Sequence, residues 1–265
     1  MPRAPTFWYQ PPARLARWLA PLGRIWRFGG WLRARRARPV RVGCPVLCVG
    51  NLTVGGAGKT PTVAALVRRL RSRGIDAQVV SRGYGGTRAG PHRVDPRADT
   101  ADEVGDEPLL LAQTAPVWVA RDRAAGAGAA HRAGAELILL DDGFQYPGLV
   151  KDRALIVVDA GQGFGNGHVL PAGPLREPVA GGLARADAVI LIGEEDDRAA
   201  ARARWPVLDT ALDARLVPVP TGLDLAGEPV IAFAGIGRPA KFYATLRALG
   251  ARLIATHDFP DHHRY

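Results

Sequence analysis

Lysine is scarce in this chain. Its 265 residues carry 32 arginines and three lysines, Lys59, Lys151 and Lys241. Acidic residues are missing from the first 75 positions, which hold fifteen basic ones, so the formal charge of +10 arises in the N-terminal part. A global nucleic-acid binder spreads its basic surface over the fold, and nucleic acid is therefore not an expected partner. Only two cysteines occur, Cys44 and Cys48, with no others to complete a structural metal site; free, buried thiols in a reducing compartment are expected. No run of 18 apolar residues is present, so no membrane-spanning helix is expected. No apolar segment of secretory length follows a basic start, and no serine precedes Ser72, which argues against a secretory signal and against a Ser-rich transit peptide.

Against that background the stretch from Val46 to Pro61 stands out. An apolar run, 46–49, reads as a buried strand. A glycine-rich turn follows, and Pro61 opens an apolar-periodic stretch that reads as a helix. Strand, glycine loop, Lys-Thr and helix is the setting of a phosphate-binding loop. Glycine lets backbone N–H groups approach phosphate oxygens, and the helix N-terminus adds partial positive charge. The expected nucleotide cradle is Asn51, Thr53, Val54, Gly55, Gly56, Ala57, Gly58, Lys59 and Thr60. Lys59 is expected on the β- and γ-phosphates and Thr60 on Mg²⁺. The usual pattern has a glycine where Thr53 stands; Gly55 and Gly56 supply the flexibility instead. That a chain so rich in arginine keeps lysine at 59 supports the reading, because a compact ammonium suits a phosphate cradle better than a planar fork.

Further along, strands are expected at 77–81, 117–120, 136–140, 154–159 and 188–192, alternating with helices. That rhythm argues for a mostly parallel α/β sheet covered on both faces. Ser81 to Gly86, with Arg82 and Tyr84, reads either as a ligand-contacting loop at a strand's C-terminal end or as a mobile glycine loop. The carboxylates at 102, 103, 106 and 107 are either a solvated helix start or include a general base. Asp141 and Asp142 end an apolar strand, the place where a phosphate-loop protein keeps its Mg²⁺-linked acid. Arg176 and Glu177 could serve phosphate and metal or form an exposed ion pair. Three of the six histidines fall in the last nine residues, and a metal cluster or an Asp–His acid/base pair would both account for them.

Residues 7–38 contain four of the six tryptophans. On a helical wheel Leu15, Trp18, Leu19, Leu22, Ile25 and Trp26 share one face, opposite Arg14, Arg17, Arg24 and Arg27, with Pro21 expected to kink or split the helix. Such a helix suits a membrane interface; the alternative is a helix packed on its own domain. Three regions are thus expected: a basic amphipathic segment at 1–41, a phosphate-loop core at 42–205, and a smaller α/β domain at 206–265.

These stretches together resemble the tetraacyldisaccharide 4′-kinase (lipid A 4′-kinase) family. The matching residues are Gly50 through Pro61, Ser81 to Gly85, Gly105 to Pro108, Asp141-Asp142-Gly143-Phe144-Gln145, Pro171 to Pro178, Phe233 to Pro239, and Phe259-Pro260-Asp261-His262-His263. The resemblance implies a phosphate-loop nucleoside-triphosphatase-like fold and transfer of the ATP γ-phosphate to the 4′-hydroxyl of an acylated glucosamine disaccharide. It implies a peripheral location on the cytoplasmic face of a bacterial inner membrane, bound to anionic lipid through the N-terminal helices. Carried over by position, Asp141, Asp142, Gln145 and Glu177 form the metal and nucleotide polar set, and Arg82, Tyr84 and Arg176 face the substrate. Asp106 with His262 accepts the hydroxyl proton. Family members continue past the histidine motif, so the smaller domain is expected to be incomplete at Tyr265. The rivals are a switch or partitioning ATPase and a membrane-bound nucleotide sensor. The partitioning type needs lysine where Val54 stands, and a guanine-specific switch needs an Asn/Thr-Lys-x-Asp stretch that does not occur.

Overall fold

The computed structural model describes residues 4–11, 14–220 and 222–259. The chain forms two compact units, one from Thr6 to Arg215 and a smaller one from Leu216 onward. The larger opens with a 3₁₀ turn, Thr6–Trp8, and a long helix, α1 (Arg14–Arg36). There follow β1 (Val46–Gly50), α2 (Lys59–Arg71), β2 (Ala77–Ser81), β3 (His92–Arg93), α3 (Ala101–Val104), α4 (Asp106–Leu111), β4 (Val117–Val119), α5 (Arg123–Arg132) and β5 (Leu137–Asp141). Then come β6 (Arg153–Asp159), α6 (Val179–Leu183), β7 (Ala188–Ile192), α7 (Glu195–Arg204) and β8 (Leu212–Ala214).

These strands make one eight-stranded sheet in the order β3-β4-β2-β5-β1-β6-β7-β8. All neighbours run parallel except β3, which pairs antiparallel with β4 at the edge. β1 lies between β5 and β6, with Val49 beside Asp141. The central strands are apolar throughout because helices cover both faces, and two core clusters lie one on each face. On one, Val63 and Val67 of α2 pack over Val49, Val79 and Leu139; on the other, Ala127 and Ala130 of α5 join Cys48, Ile138 and Leu140. The fold is α/β, as the strand–helix alternation predicts. The smaller unit is a β-α-β turn of its own: β9 (Pro229–Ala234), α8 (Pro239–Ala248) and β10 (Arg252–Asp258), with β9 and β10 parallel.

Three features differ from expectation. The larger unit does not stop at residue 205: Pro206–Leu208 is a 3₁₀ turn and β8 pairs with β7, so the sheet carries it to Arg215. α1 runs unbroken through Pro21, which removes one backbone hydrogen bond without ending the helix. Cys48 is buried as expected, whereas Cys44 is only half-buried.

The acidic stretch is not one helix start but two short helices divided at Gly105, whose φ of 91° lies in the left-handed region. A Cβ at Gly105 would come 2.6 Å from the Tyr84 carbonyl oxygen. The loop after β2 thus rests directly on the backbone that launches α4. Gly105→Ala is expected to cost about 2 kcal/mol or more, from left-handed strain plus the clash. A urea titration followed by circular dichroism should show a lower midpoint with an unchanged slope; an unchanged midpoint would contradict the close packing.

Candidate active site

The loop between β1 and α2 closes on Gly58, the N-cap of α2, with φ 91°. A Cβ there would stand 2.8 Å from Ile192 Cδ1, so both conformation and space require glycine. From this turn the first two residues of α2, Lys59 and Thr60, project to the C-terminal edge of the sheet. The buried Asn51 donates from its side-chain amide to Thr53 Oγ1 and to the Gly55 carbonyl, each at 3.4 Å, which braces the loop from below.

The two acids at the tip of β5 behave differently. Asp141 is almost fully buried; Ser81 Oγ donates to its Oδ2 at 3.3 Å, and its Oδ1 has no protein partner. Burial, then the nearby Glu107 charge, pushes its pKa up to about 7, against the pull of Lys59. Asp142 alone among the described non-glycine residues has positive φ, 48°. Its amide donates to the Val49 carbonyl at 3.0 Å, and Arg123 donates to its own carbonyl at 3.4 Å. Arg176 grips its carboxylate in a fork, Nη1–Oδ1 2.8 Å and Nη2–Oδ2 3.2 Å, and Lys59 Nζ lies 3.7 Å from Oδ1. Burial works against its ionisation, but Lys59 and Arg176 outweigh it and hold the carboxyl below the usual range.

Around this pair the expected residues distribute as follows. Gln145 donates to the Asn51 carbonyl at 3.0 Å and to Glu177 Oε1 at 3.1 Å, and its oxygen accepts from Arg176 at 3.3 Å. The Glu177 oxygens go to Gln145 and to Arg185, whose opposite charge holds them there. Beside Thr60 stands Glu107, accepting from Thr60 Oγ1 at 3.0 Å. Arg82 and Tyr84 lie exposed on the loop after β2. Asp106 is exposed as the first residue of α4. His262 lies outside the described residues. Among the described residues no three His, Cys, Asp or Glu side chains gather as a metal cluster.

Two residues of this network carried no separate role in the sequence reading. Glu107 stood in a run of acids with nothing to distinguish it. Arg123 follows the C-terminal end of β4, the edge where ligands sit in parallel sheets, and that position was its only signal. Its guanidinium stacks 4.9 Å over the Tyr146 ring, and Tyr146 donates to Asp122 Oδ1 at 2.7 Å, which in turn caps α5.

This geometry has counterparts among known proteins. The family model described as tetraacyldisaccharide-1-P 4′-kinase matches residues 15–265. The chain belongs to that family. A tetraacyldisaccharide 4′-kinase of Rhodospirillum centenum is 56% identical over 99% of this chain and 79% of its own length. That of Dinoroseobacter shibae is also 56% identical, over 98% of this chain and 79% of its own. The crystal structure of LpxK from Aquifex aeolicus in complex with ATP superposes with a TM-score of 0.73 at 28% identity, covering 94% of this chain and 83% of that one. Membership of that family favours the kinase over an ATPase switch or a nucleotide sensor.

In this kinase the buried Asp141 carries a pH signature. Its folded pKa of about 7 lies above the ordinary carboxyl value of 3.8, so the folded state binds the extra proton between those limits. Stability in the absence of nucleotide and metal falls as pH rises through that window, by an amount on the order of a few kcal/mol. Asp141→Asn, which keeps an acceptor for Ser81, should therefore melt higher than the unmodified protein at pH 8 and equally at pH 4. Differential scanning calorimetry at the two values checks this; a deficit at pH 8 would contradict it.

Proposed function

We propose that this chain transfers the γ-phosphate of ATP to the 4′-hydroxyl of an acylated glucosamine disaccharide 1-phosphate. The observation that carries the reading is the pairing of Lys59 with Asp142 over a phosphate loop, in a chain of this family. The loop amides and the N-terminus of the 13-residue α2 offer donors and partial positive charge to the triphosphate. Lys59 meets charge developing on the transferred phosphoryl, and Asp142, itself ordered by Arg176 and Arg123, sets where the ammonium points.

The residues also fit Mg²⁺: Asp141 keeps a buried carboxylate oxygen without a protein partner, and Thr60 with Glu107 stands at the loop mouth. An ion held by one or two carboxylates and phosphate oxygens is the ordinary arrangement for a kinase, and it neutralises charge on the β- and γ-oxygens. Asp106, with His262 from the family's histidine motif, is the proposed acceptor of the hydroxyl proton. Arg82 and Tyr84 are the proposed contacts to the acceptor sugar, since they lie on the loop that packs against the start of α4.

The substrate is a lipid, and α1 is built to meet a bilayer. It packs on the protein through its small residues, Ala16 and Gly23, and turns its large apolar ones outward: Trp18 is 82% exposed and Ile25 68%. That inversion supports the interfacial reading over a helix that buries its apolar face in its own core. The helix contains no acidic residue, so its arginines would add attraction for an anionic leaflet. No helix among the described residues is long and apolar enough to cross a membrane.

Radiolabelled transfer from ATP to the lipid disaccharide tests the site. Lys59→Ala should abolish transfer and weaken ATP binding, whereas Asp106→Ala should lower kcat by about 10²–10⁴-fold with ATP affinity nearly intact. Full turnover in Lys59→Ala would remove the phosphate-loop mechanism, and lost ATP affinity in Asp106→Ala would move that carboxylate to the nucleotide. Co-sedimentation with anionic vesicles tests the helix: replacing Trp18, Leu22 and Ile25 together by serine should weaken binding at least about tenfold. Unchanged sedimentation would place the membrane contact elsewhere.

A further inference from the structure

The segment that carries the apolar helix is also stitched to the loop that supplies Arg176 and Glu177. Trp26 Nε1, on α1, donates to the Arg176 carbonyl at 2.8 Å. Trp8 Nε1, in the preceding 3₁₀ turn, donates to the Pro171 carbonyl at 3.1 Å. Two indoles thus hold the two ends of one six-residue stretch. Between them the stretch pairs with the phosphate loop: the Val54 amide donates to the Pro174 carbonyl at 2.8 Å, and the Arg176 amide to the Leu52 carbonyl at 2.7 Å. A Cβ on Gly23 would lie 3.4 Å from the Val169 carbonyl oxygen, so α1 lies flush on the chain leading into this stretch.

The acceptor of the Trp26 bond matters more than its number. It is the carbonyl of the peptide joining Arg176 to Glu177, the residues whose side chains converge on Asp142 and Gln145. The phosphate loop grips Arg176 at its amide and α1 grips it at its carbonyl. Rotation of that one peptide would swing both side chains. Trp26 is half exposed, yet its N–H is spent on a backbone carbonyl of the site, a bond that a helix residue serving only as an apolar anchor does not need.

We propose that Trp26 is a positioning residue for phosphoryl transfer: its indole N–H fixes the Arg176–Glu177 peptide and, through the Arg176 fork, the carboxylate of Asp142 that faces Lys59. This rests on the reading of Arg176 and Asp142 as working groups of the nucleotide site. One helix then does two jobs, presenting an apolar face outward and ordering the site inward.

Trp26→Phe keeps the apolar ring and deletes only the donor. In full-length protein assayed with ATP and lipid disaccharide phosphate in mixed micelles, kcat should fall about three- to tenfold, the scale of one lost hydrogen bond. Melting temperature and sedimentation with vesicles of phosphatidylethanolamine and phosphatidylglycerol should not change. Trp31→Phe, the same exchange further along the helix, should leave kcat unaltered. In an Arg176→Ala background Trp26→Phe should bring no further loss, because the two act through one path. Unaltered kcat in Trp26→Phe, losses that add fully in the double variant, or a fall in kcat that tracks vesicle release would each overturn the proposal. Full activity in Arg176→Ala alone would instead overturn the site reading beneath it, so the two failures are distinguishable.

Discussion

The site depends on one carboxylate held between two cations. Asp142 occupies a left-handed backbone conformation that costs most side chains on the order of a kcal/mol or more, and aspartate somewhat less. Arg176 spans both its oxygens while Lys59 approaches one of them. The arrangement draws together residues from β5, from α2 and from the stretch after Pro171. Without the fork, Asp142 could turn away, and Lys59 would lose the partner that keeps its ammonium over the loop. The neighbouring Asp141 shows the contrast: one position earlier in the chain but inside the sheet, it has a single hydroxyl donor and is held near neutrality by burial. Two adjacent aspartates thus present one permanently charged and one readily protonated group to the same edge, separated only by which way the strand points them.

The fold was readable from the sequence wherever one physical signal dominated. Apolar runs of strand length, ending in glycine, serine or aspartate, mark β1, β2, β5 and β6. β3 was not legible, because a two-residue strand carries no periodicity and exists only through its neighbour. At the site, Lys59 was legible from the strand, glycine loop and helix around it, and the scarcity of lysine supported it. Glu107 was not, because a run of four acids does not say which one turns inward; that is decided by the left-handed turn at Gly105 and the loop that packs on it. The partners of Glu177, Gln145 and Arg185, come from other segments, and its own motif does not announce them.

α1 shows how a helical wheel can be right about amphipathicity and silent about orientation. The wheel separates Leu15, Trp18, Leu22 and Ile25 from the arginines, but the protein docks a third surface, the one lined by Ala16 and Gly23. Small residues permit close approach of helix to loop, and the large ones are left unspent. Trp26 stands at the border of these surfaces, which is why its ring is half exposed while its N–H reaches the Arg176 carbonyl.

The place of β1 in the sheet has a consequence in time. It pairs with β5 and β6 only, and those strands lie roughly ninety residues and more downstream. At bacterial elongation rates of about 5–20 residues per second, the first strand emerges on the order of ten seconds before its partners exist. During that interval the glycine loop has no sheet to close on, and contacts of such high sequence separation form slowly once they can. The segment that reads most clearly as a nucleotide cradle is therefore among those that take shape last, and a nascent chain halted before residue 137 has the motif without the strand pairing that gives it a shape.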